Sequence, residues 1–169
     1  MEKSGKNFSN KLTGQIGENL VVAELGRRGI VATAFAGNVP DIDILAYKNG
    51  KSLALQVKSI KTGSVLCQVD NYLDIEIKDK KQIITGIKKS INRKIIWIIV
   101  SIGPTLGTDK FYICDGGFFQ DTVLKIHSDF LKKHGGIRPK KYDSFHCAVQ
   151  EKDLISKLDD WNKIEDNFN

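Results

Sequence analysis

Asp41-Ile42-Asp43-Ile44-Leu45-Ala46-Tyr47-Lys48-Asn49-Gly50-Lys51-Ser52-Leu53-Ala54-Leu55-Gln56-Val57-Lys58 is the stretch from which the rest of this chain can be read. Two β-patterned runs flank Asn49-Gly50, the strongest short hairpin signal, because both residues accept the positive φ of a type I′ turn. Placing that pair in the loop fixes the register: paired residue numbers sum to 99, as 49 and 50 do. Ile44 then faces Leu55, Ala46 faces Leu53 and Ile42 faces Val57, an apolar face that marks the core side. On the other face Tyr47 meets Ser52, Leu45 meets Ala54, Asp43 meets Gln56 and Asp41 meets Lys58. A slip of one residue mixes the two faces, so the register is well specified.

This register puts Asp43, Gln56 and Lys58 on one side of a two-stranded ribbon. Directly opposed residues have Cβ atoms about 5 Å apart. That suits a carboxylate and an amide oxygen sharing one hard cation, with an ammonium beside it. Mg²⁺ keeps several of its waters, so one or two carboxylates plus a phosphate suffice to bind it. The alternative is an ordinary solvated strand face with a surface Asp–Lys pair. Glu18 weighs against that alternative. It shares a helical stripe with Val21, Val22 and Leu25, and a carboxylate on an apolar stripe must be paired, protonated or metal-bound. The alternative for Glu18 is a helix-edge residue reaching solvent. Gly14 and Gly17, on the preceding turn, cost helix stability but allow close approach of a backbone or phosphate.

Outward from the hairpin, residues 1–8 read as a loose polar tail. Ser9 to Arg28 reads as a helix with Ser9 as N-cap and Gly29 as the left-handed stop. Ile30 to Phe35 is a first strand, and Ala36 to Pro40 a loop. After Lys61, Tyr72 to Ile77 resembles a strand, and Asp79 to Ser90 reads as a basic helix. Ile95 to Ile102 is a nearly continuous apolar run, consistent with a strand buried on both faces. Phe111 to Cys114 is another short strand. Phe118 to Lys133 reads as a helix ending at Gly135-Gly136, and Glu151 to Ile164 as a final helix. The order indicates one α/β domain over residues 1–169.

Composition bounds the function. The chain has 169 residues and a net charge of +6. Three lysines against six acids leave 151–169 at −3, so the rest of the chain carries +9. A basic body favours a polyanionic partner, because counterion release supplies most non-specific affinity for DNA. No apolar run approaches the roughly 20 residues that span a bilayer. The polar N-terminus does not read as a secretion signal. Three widely spaced cysteines, Cys67, Cys114 and Cys147, suggest reduced thiols in a cytoplasm.

The ordered set Gly17-Glu18-Asn19, Pro40-Asp41-Ile42-Asp43-Ile44-Leu45 and Gln56-Val57-Lys58 resembles the PD-(D/E)xK nuclease superfamily. The spacing is similar to that of archaeal Holliday-junction resolvases, some restriction enzymes and a bacterial homing endonuclease of this fold. The resemblance covers the core motif region, residues 9–62, and leaves the divergent part, 63–169, unassigned. It implies a restriction-endonuclease-like core with a central mixed β-sheet flanked by helices. It implies a Mg²⁺-dependent DNA endonuclease, with Mn²⁺ as a substitute, of restriction, repair or mobile-element type. The catalytic residues would be Glu18, Asp43, Gln56 and Lys58, and the metal ligands Asp43, Gln56, the Val57 carbonyl and Glu18. Two departures stand out. Gln56 replaces the usual second acid, and Asp43, rather than the literal Pro40-Asp41 acid, lies opposite it. Gln56 keeps open a second reading, a catalytically inactive nucleic-acid-binding module of the same fold.

Two basic stretches are candidate DNA contacts, against the alternative of solvated surfaces. One includes Lys80, Lys81, Lys88 and Lys89, with Lys80, Lys81 and Lys88 on one helix face. The other includes Arg138, Lys140 and Lys141 beside Gly135-Gly136. His127, His134, His146 and Cys147 match no zinc-ligand spacing. Leu154, Leu158 and Trp161 form a docking face on the last helix. A homodimer is compatible with duplex or branched DNA as partner, since two strands are cut symmetrically by two-fold dimers.

Overall fold

A computed structural model of the chain describes the backbone of residues 2–35, 42–61, 63–105 and 107–169, and their side chains except at 2–8 and 10. Helix α1 spans Glu2–Arg27 and is followed by strands β1 (Val31–Ala34), β2 (Ile44–Lys48) and β3 (Lys51–Ile60). Strands β4 (Ser64–Gln68), β5 (Leu73–Lys78), β6 (Lys81–Ile87), β7 (Ile96–Ser101) and β8 (Lys110–Asp115) come next. Helix α2 (Gly116–Lys133), strand β9 (His146–Gln150) and two one-turn helices, α3 (Glu151–Leu154) and α4 (Asn162–Glu165), complete the order. The chain forms two compact units, Met1–Gly63 with Ile95–Cys114 and Leu154–Asn169, and Ser64–Lys94 with Asp115–Asp153.

The first unit is an α/β layer structure: a central mixed sheet of order β1-β2-β3-β7-β8, flanked by helices. Asn49 and Gly50 both have positive φ, 52° and 78°, and make the tight turn between β2 and β3. The register matches the expectation from that turn, with Ile44 opposite Leu55, Ala46 opposite Leu53 and Tyr47 opposite Ser52. Strand β3 then pairs in parallel with β7, Val57 beside Ile98. Strand β7 is buried along nearly its whole length, as its unbroken apolar run requires. Val21 and Leu25 of α1 pack with Ile44, Ala46, Leu55, Ile98 and Val100 of the sheet and with Ile164 and Phe168 near the C-terminus.

The second unit joins the β5–β6 hairpin and the β4–β9 pair to α2. Two buried polar side chains of α2, one near each end, hold the hairpin. Gln120 Nε2 donates to the carbonyls of Tyr72 (2.8 Å) and Lys88 (2.9 Å). Two helical turns later, His127 Nε2 lies 3.0 Å from Gln82 Oε1. The Asp115 carboxylate caps α2 by accepting from the Phe118 N–H at 2.7 Å.

Three sequence expectations are corrected. Helix α1 begins at Glu2, so Ser9 lies inside it; its carbonyl accepts from the Thr13 hydroxyl one turn on. Residues 79–90 are not a helix. Asp79 and Lys80 have positive φ, 48° and 65°, and turn the chain into β6. Ile83, Ile84, Thr85 and Ile87 fit either periodicity, but their branched side chains favour a strand and Gly86 disfavours a helix. The final helix is broken as well. Leu158 is extended and bridges to Tyr112, Asp159 has φ of 52°, and its N–H donates to the Phe111 carbonyl at 2.7 Å. Pairing with β8 overrides the helical pattern there, and Leu158 stays exposed while Leu154 and Trp161 are buried. Among the described residues, no helix is long and apolar enough to cross a membrane.

Burial, and secondarily the Arg138 charge, lowers the His127 pKa from 6.5 to about 4. The unfolded chain therefore takes up a proton near pH 6.5 that the folded chain refuses until about pH 4. Stability from this group is complete above pH 6.5 and is lost as pH falls toward 4. Urea unfolding at pH 7 and at pH 4.5 should show a loss of about 1–3 kcal/mol more in wild type than in His127→Gln. An equal loss in both proteins would refute the assignment.

Candidate active site

The site assembles where β2 begins. In a regular ladder of this register, the Val57 N–H would bond to the Ile42 carbonyl. Instead it donates to Asp43 Oδ2 at 2.7 Å. The Asp43 N–H donates to the Leu55 carbonyl (2.9 Å), and the Asp43 carbonyl accepts from the Phe35 N–H (2.9 Å). Asp43 is thus pinned through its amide, its carbonyl and one carboxylate oxygen. The ladder ends at Ile44–Leu55, which corrects the expectation that it runs on through Asp43–Gln56 and Ile42–Val57. The cause is the carboxylate, which competes for the N–H that a longer ladder would need. Asp41, expected opposite Lys58, lies outside the described residues.

Glu18 approaches from α1. Its pKa is raised above the ordinary carboxylate value, first by burial and then by the negative charge of Asp43. The charge of Asp43 thus acts on a carboxylate from a distant part of the sequence. Gln56 and Lys58 flank Val57 on β3; Gln56 is half-buried beside Trp97 and Lys58 is exposed beside Ile99. Of the residues expected at the site, Glu18 and Asp43 are coupled by charge, and the backbone of Val57 ties Asp43 to the strand bearing Gln56 and Lys58.

One contact was only half legible. Gly17 was expected to permit a close approach, and the group that approaches is Ser59, the residue after Lys58. A Cβ on Gly17 would collide with the Ser59 hydroxyl and come within 2.9 Å of the Ser59 Cβ. Gly14 has open space instead. The Ser59 hydroxyl is buried and finds no hydrogen-bond partner among the described residues. That burial costs about 1–3 kcal/mol, so the close approach of helix to strand is held against an opposing term. It sets the distance at which Glu18 arrives.

Among the described residues, no three His, Cys, Asp or Glu side chains gather as a metal-holding group. The donor set here is two carboxylates and an amide, which fits a hard cation that keeps much of its water. The expected DNA contacts all fall in the second unit. Lys80 and Lys81 sit at the β5–β6 turn, Lys88 at the other end of β6 is paired with Asp74 (3.3 Å), and Lys89 follows it. Arg138, Lys140 and Lys141 lie between α2 and β9.

No family model matches the sequence, and no curated protein does. Among solved structures, the chain is similar to a bacterial homing endonuclease, I-Ssp6803I, at 16% identity and a TM-score of 0.42, over 67% of this chain and 73% of that one. It is also similar to Hjc, a Holliday junction resolvase from the archaeal hyperthermophile Archaeoglobus fulgidus. That match has 15% identity and a TM-score of 0.45, over 88% of this chain and 93% of that one. The functional reading rests on the site itself.

Alanine at position 17 gains about 1 kcal/mol of helix propensity, but overpacking costs about 1–3 kcal/mol. Gly17→Ala should therefore lose about 1 kcal/mol in urea unfolding. Adding Ser59→Ala, which removes the colliding hydroxyl, should recover most of that loss, and should gain more stability in the Gly17→Ala background than in wild type. An equal effect of Ser59→Ala in the two backgrounds would contradict the contact.

Proposed function

We propose that this protein is a metal-dependent endonuclease that hydrolyses phosphodiester bonds in DNA, of restriction, repair or mobile-element type, with Glu18, Asp43, Gln56 and Lys58 as its catalytic residues. The observation that carries the reading is the meeting of two carboxylates, Glu18 and Asp43, with Asp43 fixed by the Val57 N–H one residue before Lys58. A structural ion pair would bring opposite charges together; this arrangement gathers like charges beside a lysine-bearing strand.

Asp43, Glu18, the Gln56 side-chain oxygen and the Val57 carbonyl would hold Mg²⁺ or Mn²⁺. Such an ion supplies an acidified water and neutralises charge on the phosphate. The protein's own groups do the rest. Asp43, with one oxygen tied to the backbone, is preorganised and loses little freedom when its other oxygen is engaged. Glu18 orients water from the helix side. The Lys58 ammonium positions the attacking water or stabilises charge developing on the phosphate. Gln56 offers an oxygen without a charge, so the site is less negative than one with three acids.

That same residue favours one alternative, a DNA-binding module of this fold without turnover. The two readings separate by cleavage of supercoiled plasmid and branched DNA, by wild type and Lys58→Ala, with Mg²⁺, Mn²⁺ or EDTA. The expected result is metal-dependent cutting, abolished by EDTA and reduced about 100-fold or more in Lys58→Ala. Undiminished cutting by purified Lys58→Ala and Asp43→Ala would sink the site assignment. Salt-sensitive DNA binding by a wild type that cuts nothing would favour the binding module.

A further inference from the structure

The two basic stretches are separated by about fifty residues in sequence, yet one buried glutamine joins them within the second unit. Gln82 is the second residue of β6 and is almost fully buried. Its backbone N–H donates to the Gly136 carbonyl at 2.9 Å. Its side-chain Nε2 donates to the Tyr142 carbonyl (2.6 Å) and to the Ser144 carbonyl (2.9 Å). Both amide hydrogens are thereby used, so Oε1 is an acceptor, and His127 Nε2 donates to it. Three hydrogen bonds thus fasten the loop after α2 to the start of β6, and a fourth ties β6 to α2 itself. The Gly135-Gly136 turn, with φ of 60° and 83°, lies against the Lys81 side chain, whose Cβ would be 3.5 Å from a Cβ on Gly136.

The consequence is that the β5–β6 turn, with Lys80 and Lys81, lies beside the loop that carries Arg138, Lys140 and Lys141. Arg138 is held in place independently: its guanidinium sits over the Phe130 ring, 4.8 Å from the centroid. A stacked guanidinium keeps its fork of donors directed and loses little freedom when a phosphate arrives. Acidic groups are few there. Asp143 lies 3.7 Å from Lys141 and Asp79 sits in the β5–β6 turn, so Lys80, Lys81, Arg138 and Lys140 outweigh them. Lys88 and Lys89 are elsewhere, about 20 Å away along β6, with Lys88 committed to Asp74.

We propose that the β5–β6 turn and the 137–144 loop form one preorganised phosphate-binding surface for a DNA backbone, with Arg138 as its directional group. The inference rests on the nuclease reading for its ligand, and its test is a binding measurement. Duplex DNA is titrated in the Lys58→Ala background, without cleavage, over a range of KCl concentrations, and the affinity and its salt slope are read. Lys80→Asn/Lys81→Gln removes two charges while suiting the positive φ at position 80. Arg138→Ala/Lys140→Ala removes two from the loop, and Arg138→Lys keeps the charge but loses the fork.

Each double variant should reduce the salt slope by about 1–2 and weaken binding about tenfold or more. Lys88→Ala/Lys89→Ala should reduce the slope less, and Arg138→Lys should weaken binding while keeping the slope. The proposal is overturned if both double variants keep the parental slope and affinity, or if Lys88→Ala/Lys89→Ala loses as much as they do. Salt-sensitive binding that survives in both double variants sinks only this surface. A parental protein that binds no duplex DNA at any salt concentration sinks this surface, and one that binds no branched DNA either sinks the nuclease reading as well.

Discussion

A single hydrogen bond, from the Val57 N–H to the Asp43 carboxylate, determines how the first unit becomes a site rather than just a sheet. A charge-assisted bond of this kind is worth about 1.5–3 kcal/mol, more than the neutral ladder bond it replaces. The ladder therefore stops at Ile44–Leu55, and Asp43 turns its carboxylate toward β3. The Asp43 N–H and carbonyl are also bonded, so its backbone is fixed between Leu55 and Phe35 and the carboxylate starts from a set position. The strand it grips carries Gln56 before and Lys58 after the gripping residue.

Glu18 comes to this point by packing. The Val21 and Leu25 stripe fixes which face of α1 meets the sheet, and the missing side chain of Gly17 lets the helix press against Ser59. The helix thereby brings a carboxylate up to one that is already fixed. Burial first, and the Asp43 charge second, then disfavour the charged form of Glu18. Fold and chemistry thus depend on the same close approach.

The hairpin was legible because two constraints coincide there: the positive φ demanded at Asn49-Gly50 and an alternation that only one register satisfies. Glu18 was legible because it interrupts an apolar stripe. The end of the ladder was not, since it depends on a side chain outcompeting a backbone carbonyl three-dimensionally. The helix expected over 79–90 failed at Ile83, Ile84 and Ile87, whose spacing fits both periods; the turn at Asp79-Lys80 decides between them. The pairing of β4 with β9, Cys67 opposite Cys147, joins segments far apart in sequence and leaves no local signal. Gln82 and His127 were invisible for the same reason: neither is unusual until the other is beside it.

The central proposal is that Glu18 and Asp43 together hold a divalent cation. It is tested most directly by Mn²⁺ titration of the DNA-free protein, followed by electron paramagnetic resonance, in wild type and in Asp43→Asn. The account predicts that wild type removes free Mn²⁺ from solution and that Asp43→Asn, which keeps the shape but loses the charge, does so far less. Equal Mn²⁺ binding by the two proteins would contradict it.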